Sequence, residues 1–127
     1  MQIERIDHLV LTVADVDRTL SFYADVLGME AVTFGEDRHA LAFGEQKINL
    51  HQAGQEIDPK AAHPTPGSAD LCLTADASAD EILDWLHGRD VEVEEGPVER
   101  MGARGPITSF YLRDPDLNLI EVATYAQ

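Results

Sequence analysis

A chain of 127 residues with 24 Asp and Glu against nine Lys and Arg carries a formal net charge of −15. That balance repels phosphate backbones and excludes nucleic acid as a partner. No apolar run approaches the ~20 residues a bilayer span needs, which excludes a membrane-crossing helix. Cys72 is the single cysteine, so no internal disulfide can form, and its place in an apolar run suits a reducing, cytoplasmic setting. Met1 to Arg5 leads into a strand pattern without the features of a signal peptide.

In chain order, His8-Leu9-Val10-Leu11-Thr12 opens a β-rich run. Asp15 or Asp17 is placed to cap a helix with Val16, Leu20, Tyr23, Ala24 and Leu27 on one face, and Gly28 stops it. Three short strands follow, about 30–34, 39–43 and 47–51, with Gly35 and Gly44 near the turns. From Ala53 to Gly67 the chain is rich in Pro and Gly and reads as a linker. The plan then repeats. Asp70-Leu71-Cys72-Leu73-Thr74 matches the first run at an offset of 62. Ser78-Ala79-Asp80-Glu81 has capping-box spacing before an apolar stripe of Ile82, Trp85 and Leu86, and Gly88 stops that helix. Strands are expected at about 91–98, 107–113 and 119–124, with most of the extra length of this half in a loop from Met101 to Pro106. Each half reads β-α-β-β-β, giving an α+β domain over residues 1–127: module 1 about 3–52, linker 53–67, module 2 about 68–125.

Alternation along the strands sorts the chemistry. Leu9, Leu11 and Val13 suit the helix side, so His8, Val10 and Thr12 face away from it, as do Asp70, Cys72 and Thr74 in the second half. In the closing strands Asn49 and His51, with Leu119 and Glu121, take the same side, and Asn49-Leu50-His51 aligns with Leu119-Ile120-Glu121 at an offset of 70. Two imidazoles and two carboxylates, His8, His51, Asp70 and Glu121, therefore occupy the first and last strands of the two repeats, a donor set suited to a divalent ion. Each has a plainer reading: a hydrogen-bonded strand histidine, a sheet-end cap, a linker contact. Glu121 is the most telling, because an ionised carboxylate between Ile120 and Val122 must be paired, coordinated or solvated. Arg104 and Arg100, near the glycine-rich loop, are candidates for an anionic substrate group, against the plain reading of solvated loop charges. Tyr111, with Ser109 on the same parity, is a candidate cavity residue, or a packed one.

Ile6-Asp7-His8-Leu9-Val10-Leu11-Thr12-Val13, the helix end Phe22-Tyr23-Ala24-Asp25-Val26-Leu27-Gly28-Met29, and Asp114-Pro115-Asp116-Leu117-Asn118-Leu119-Ile120-Glu121 together resemble the vicinal-oxygen-chelate superfamily of glyoxalases, bleomycin resistance proteins and extradiol dioxygenases. Gln46 to Gln52, Gly67 to Cys72 and Gly96 to Arg100 are similar to its glyoxalase-domain-containing and bacterial virulence-protein members. The resemblance implies two βαβββ modules forming a cupped, eight-stranded mixed sheet with the helices outside. It implies a divalent metal ion (Zn, Ni, Co, Mn or Fe) on His8, His51, Asp70 and Glu121, although many relatives carry histidine where Asp70 stands. It further implies a small-molecule substrate, a homodimer, and a glyoxalase-type lyase or isomerase with Glu121 as catalytic base and Tyr111 and Arg104 toward the substrate. The rival roles within the same family are an Fe(II) dioxygenase and a metal-free protein that sequesters a drug.

Overall fold

The structure is a computed structural model describing residues 1–126. The chain divides into two compact units, Met1–Ser68 and Ala69–Gln127. Unit 1 holds β1 (His8–Val13), α1 (Val16–Leu27), β2 (Glu30–Phe34), β3 (Arg38–Phe43) and β4 (Gln46–Gln52). Unit 2 holds β5 (Asp70–Thr74), α2 (Ala79–His87), β6 (Glu95–Gly102), β7 (Gly105–Arg113) and β8 (Leu119–Thr124). The eight strands form two mixed sheets of four, ordered β1-β4-β3-β2 and β5-β8-β7-β6. In each, the first strand runs parallel to the last and the remaining pairs are antiparallel. Among the described residues no helix is long and apolar enough to cross a membrane.

The helix ends form where the side chains can satisfy them. Asp15 caps α1 by accepting from the Arg18 amide, and Gly28 ends it at φ 68°, a left-handed turn that suits a residue without Cβ. Ser78 and Glu81 complete a reciprocal capping box on α2. The buried faces differ from the expected stripes. In α1 the buried line is Thr19, Tyr23 and Val26, with Leu20 and Leu27 half-buried. In α2 Ile82 and Leu86 are buried while Trp85 stays exposed, its ring under the Arg89 guanidinium at 3.2 Å.

Strand β6 departs most from expectation. It begins at Glu95 rather than Val91, and its pairing with β7 slips between Glu95 and Val98. Gly96 sits in that bulge at φ 136°, where an added Cβ would lie 2.7 Å from the Ser109 carbonyl oxygen. The presumed loop from Met101 to Pro106 is instead a tight hairpin: Gly102 pairs with Gly105, and only Ala103 and Arg104 turn the chain. Two glycines let the ladder continue to the turn, which patterning alone reads as loop.

The final turn fastens the second sheet. Buried Asp114 accepts from the Asp116 and Asn118 amides through Oδ1 and from Asn118 Nδ2 through Oδ2. Asn118 Oδ1 in turn accepts from the Ala69 amide, tying the start of β5 to β8. Leu117 takes the left-handed position of this turn at φ 68°.

Candidate functional site

In unit 2, Leu71, Leu73, Phe110, Leu112, Ile120 and Val122 lie on one parity, with the last four buried. Glu121 and its neighbours take the other. Register sets four of them in one straight rung: Cys72 on β5 opposite Glu121 on β8, Glu121 opposite Tyr111 on β7, and Tyr111 opposite Glu95 on β6. Glu121 is held at its centre. Ser109, fully buried and two positions from Tyr111, donates its hydroxyl to Glu121 Oε2 at 2.5 Å. On the other side, the Cys72 thiol hydrogen-bonds the same carboxylate. Partial burial first, and then the Glu121 charge, push that thiol from 9.0 up to about 11.

The outer half of the rung carries the cation. Arg100 Nε donates to the Tyr111 hydroxyl at 3.1 Å, Nη1 to the Glu99 carbonyl at 3.1 Å and Nη2 to Glu95 at 3.3 Å. The Tyr111 hydroxyl, ahead of Glu95, raises the guanidinium pKa further, so Arg100 stays charged. Cys72, Arg100, Tyr111 and Glu121 line one open cavity of about 430 Å³, together with Met101, Gly102 and Tyr125. Arg104, expected to face substrate, is not among its lining residues. It stacks on the outer Tyr125 ring at 4.2 Å and lines a neighbouring cavity with Asp76 and Thr124. The short hairpin turn points Arg104 away, and its own amide bonds the Tyr125 hydroxyl at 3.0 Å.

In unit 1, His8 is exposed, and its Nδ1 meets the Asp7 carboxylate at 2.8 Å, which leaves Nε2 outward. His51 is buried and lines a polar pocket of about 260 Å³ at the far end of the sheet, with Asp15, Asp37 and His39. Its Nε2 is buried without a partner, as is Asn49 Oδ1. The two histidines do not meet: His8 pairs with Lys47, and His51 with Thr12, four positions further along parallel strands. That offset is about 13 Å at 3.3 Å per residue, with side chains standing off the same face. Asp70, in unit 2, is two register positions from the Glu121 rung and contributes to holding the Arg113 charge.

The repeat alignment shifts accordingly. Val10 and Cys72 correspond at the offset of 62, and their strand partners are Asn49 and Glu121. Asn49, not His51, is therefore the first-module counterpart of Glu121, at an offset of 72 rather than 70. A side chain's face follows from period two, but pairing between distant strands does not.

As a test of the implied metal, the donor set does not close. Among the described residues no three His, Cys, Asp or Glu side chains converge as a group able to hold an ion. The unpartnered imidazole of His51 is a competent donor, but its register keeps it from His8. What the second module does assemble is a carboxylate fixed by a buried hydroxyl, facing a cavity with a tyrosine and an arginine.

These features define a paired βαβββ protein with a carboxylate on the last strand of its second repeat. The chain belongs to the Glyoxalase/Bleomycin resistance protein/Dioxygenase superfamily, whose family model matches residues 5–122. It is 54% identical over 125 residues to Virulence protein STM3117 of Salmonella typhimurium, covering 98% of this chain and 87% of that protein. The crystal structure of that protein superposes with a TM-score of 0.97, covering 99% of this chain and all of the other (100%). Glyoxalase domain-containing protein RDO1 of Mycosarcoma maydis is 51% identical, over 98% of this chain and 70% of its own length. An integron cassette protein of V. cholerae is 56% identical, with a TM-score of 0.96 over 99% of this chain and 98% of its own. More distant matches carry names from separate branches. One is a probable lactoylglutathione lyase of Vibrio parahaemolyticus, at 27% identity over 93% of this chain and 88% of its own length. Another is biphenyl-2,3-diol 1,2-dioxygenase 3 of Rhodococcus globerulus, at 31% identity over 93% of this chain and 62% of its own length.

Proposed function

We propose that this protein is a glyoxalase-type lyase or isomerase acting on a small substrate with adjacent oxygens, bound in the cavity of the second module. The observation that carries this reading is Glu121, a carboxylate with one oxygen held by the buried Ser109 hydroxyl, at the cavity wall. Such a group is placed to take a proton from a carbon next to a carbonyl. The C–H electron pair then enters the carbonyl as an enolate, and the same carboxylate returns the proton to the neighbouring carbon. Tyr111 accepts a hydrogen bond from Arg100, which leaves its own O–H proton to donate to the developing enolate oxygen.

The metal-dependent form of this reading adds a divalent ion (Zn, Ni, Co, Mn or Fe), for which Glu121 would be the donor in the second module. In the first module either His8 or His51 would serve, since the two stand four register positions apart. Asp7, bonded to His8 Nδ1, would then orient that imidazole. A second reading, a metal-free binding protein that sequesters its ligand, is favoured by the absence of three converging donors among the described residues.

Turnover of the hemithioacetal of glutathione and methylglyoxal tests the enzyme, and elemental analysis of tag-free protein tests the ion. Glu121→Gln is expected to lower turnover by about a hundredfold or more, and Tyr111→Phe by about tenfold. Near-stoichiometric metal lost in His8→Ala and Glu121→Ala would establish the metal-dependent form, and iron would favour the dioxygenase branch. No turnover by the wild type, with or without added ions, would sink the enzyme reading and leave sequestration.

A further inference from the structure

The cavity that holds Glu121 has a second pole. Among the residues lining it, Arg100 is the one Lys or Arg. Its guanidinium has five N–H groups, and three of them are engaged, by Tyr111, Glu99 and Glu95. Two remain, one on each terminal nitrogen. The plane is also steadied from below, 5.5 Å over the Tyr111 ring. Its partner Glu95 orients this group more than it neutralises it, because a single 3.3 Å contact between half-exposed side chains contributes little in water.

We infer that Arg100 is the anion-binding end of this cavity and that the ligand is a small 2-oxo or 2-hydroxy carboxylate, its acid group on Arg100 and its reacting carbon toward Glu121. The inference rests on the proposed role of Glu121 for the second half of that orientation, while the anion site stands on Arg100 alone. The spacing suits it. Glu121 lies on β8 and Arg100 on β6, two strands across and four register positions along, roughly 16 Å between backbones at about 4.8 Å per strand and 3.3 Å per residue. The Arg100 side chain spans much of that distance, since its Nε meets the hydroxyl of Tyr111, the residue directly opposite Glu121, and all three line the one cavity. The charge of −15 on the whole chain does not forbid an anion here. At physiological salt the screening length is about 8 Å, so distant carboxylates count for little against a guanidinium in contact. The sequence offered both Arg104 and Arg100 for an anionic group, and the hairpin geometry leaves Arg100 on this cavity.

Binding of lactate and of its neutral isostere lactamide to the intact protein tests this by calorimetry, without any need for turnover. Wild-type protein is expected to bind lactate and to bind lactamide at least about tenfold more weakly. Arg100→Gln should lose that preference, and Arg100→Lys should keep part of it. The inference is overturned if lactamide binds as well as lactate, if Arg100→Gln binds lactate as the wild type does, or if the wild type binds no lactate. Lactate binding that depends on Arg100 in a protein that fails to turn over the hemithioacetal would uphold the anion site and reject the enzyme reading alone.

Discussion

Ser109 and Glu121 are joined by a hydrogen bond of 2.5 Å across strands β7 and β8, between a fully buried hydroxyl and a carboxylate that borders a cavity. Ser109→Ala removes the donor and leaves a charged oxygen without its partner. The expected cost is about 1–3 kcal/mol, read from urea unfolding. Turnover of the hemithioacetal should fall about tenfold, because the carboxylate loses its fixed plane. A variant as stable as the wild type would mean that solvent already satisfies Glu121.

The Cys72 thiol, raised from 9.0 to about 11 by partial burial and by Glu121, should be a poor nucleophile at neutral pH. Alkylation by iodoacetamide should rise with pH along a curve centred near 11, and Glu121→Gln should move that curve down. The linkage has a definite sign. Between 9.0 and about 11 the unfolded chain gives up its thiol proton before the folded one does, so this group's contribution to stability is full below 9.0 and is lost as pH rises through the window. Cys72→Ser should flatten that part of the stability profile.

Leu117 sits at φ 68° with its side chain 68% exposed in the turn before β8. A left-handed backbone costs a residue with Cβ about 1–2 kcal/mol, whereas glycine adds about 0.5–1 kcal/mol of unfolded-state entropy. The first effect is the larger, so Leu117→Gly should stabilise the protein by about 0.5–1 kcal/mol and raise its melting temperature. An unchanged or lower value would show that the exposed leucine makes contacts worth keeping.

Gly96 occupies the β6 bulge at φ 136°, and a Cβ there would stand 2.7 Å from the Ser109 carbonyl oxygen and 2.8 Å from Phe110 Cα. Both obstacles are backbone, so neither can swing aside. Gly96→Ala should destabilise by about 3 kcal/mol through strain and overpacking. Because the bulge sets where Arg100 meets Tyr111, the same variant should also weaken lactate binding. Retained stability would mean that the bulge relaxes without disturbing β7.

The repeat, the two capped helices and the face on which Glu121 lies were legible because they depend on local chemistry and on the strand period of two. A serine with a glutamate three residues later caps a helix wherever it sits, and Ile120 and Val122 bury themselves on one side and turn Glu121 to the other. Ser109 and Tyr111 shared that parity, so their company was readable, though not the bond that joins Ser109 to Glu121. The rest hung on pairing between strands remote in the chain. Register placed His51 opposite Thr12 and out of reach of His8, and made Asn49 the counterpart of Glu121. The bulge at Gly96 and the two-residue turn at Ala103 and Arg104 put Arg100, rather than Arg104, on the cavity wall. By itself the sequence determined which residues face which side of their own strand, since that follows from backbone geometry one residue at a time. Only the tertiary structure decided which of those residues stand side by side, because a ladder's register is chosen by the packing of the whole sheet and one slipped or bulged position redirects every side chain beyond it.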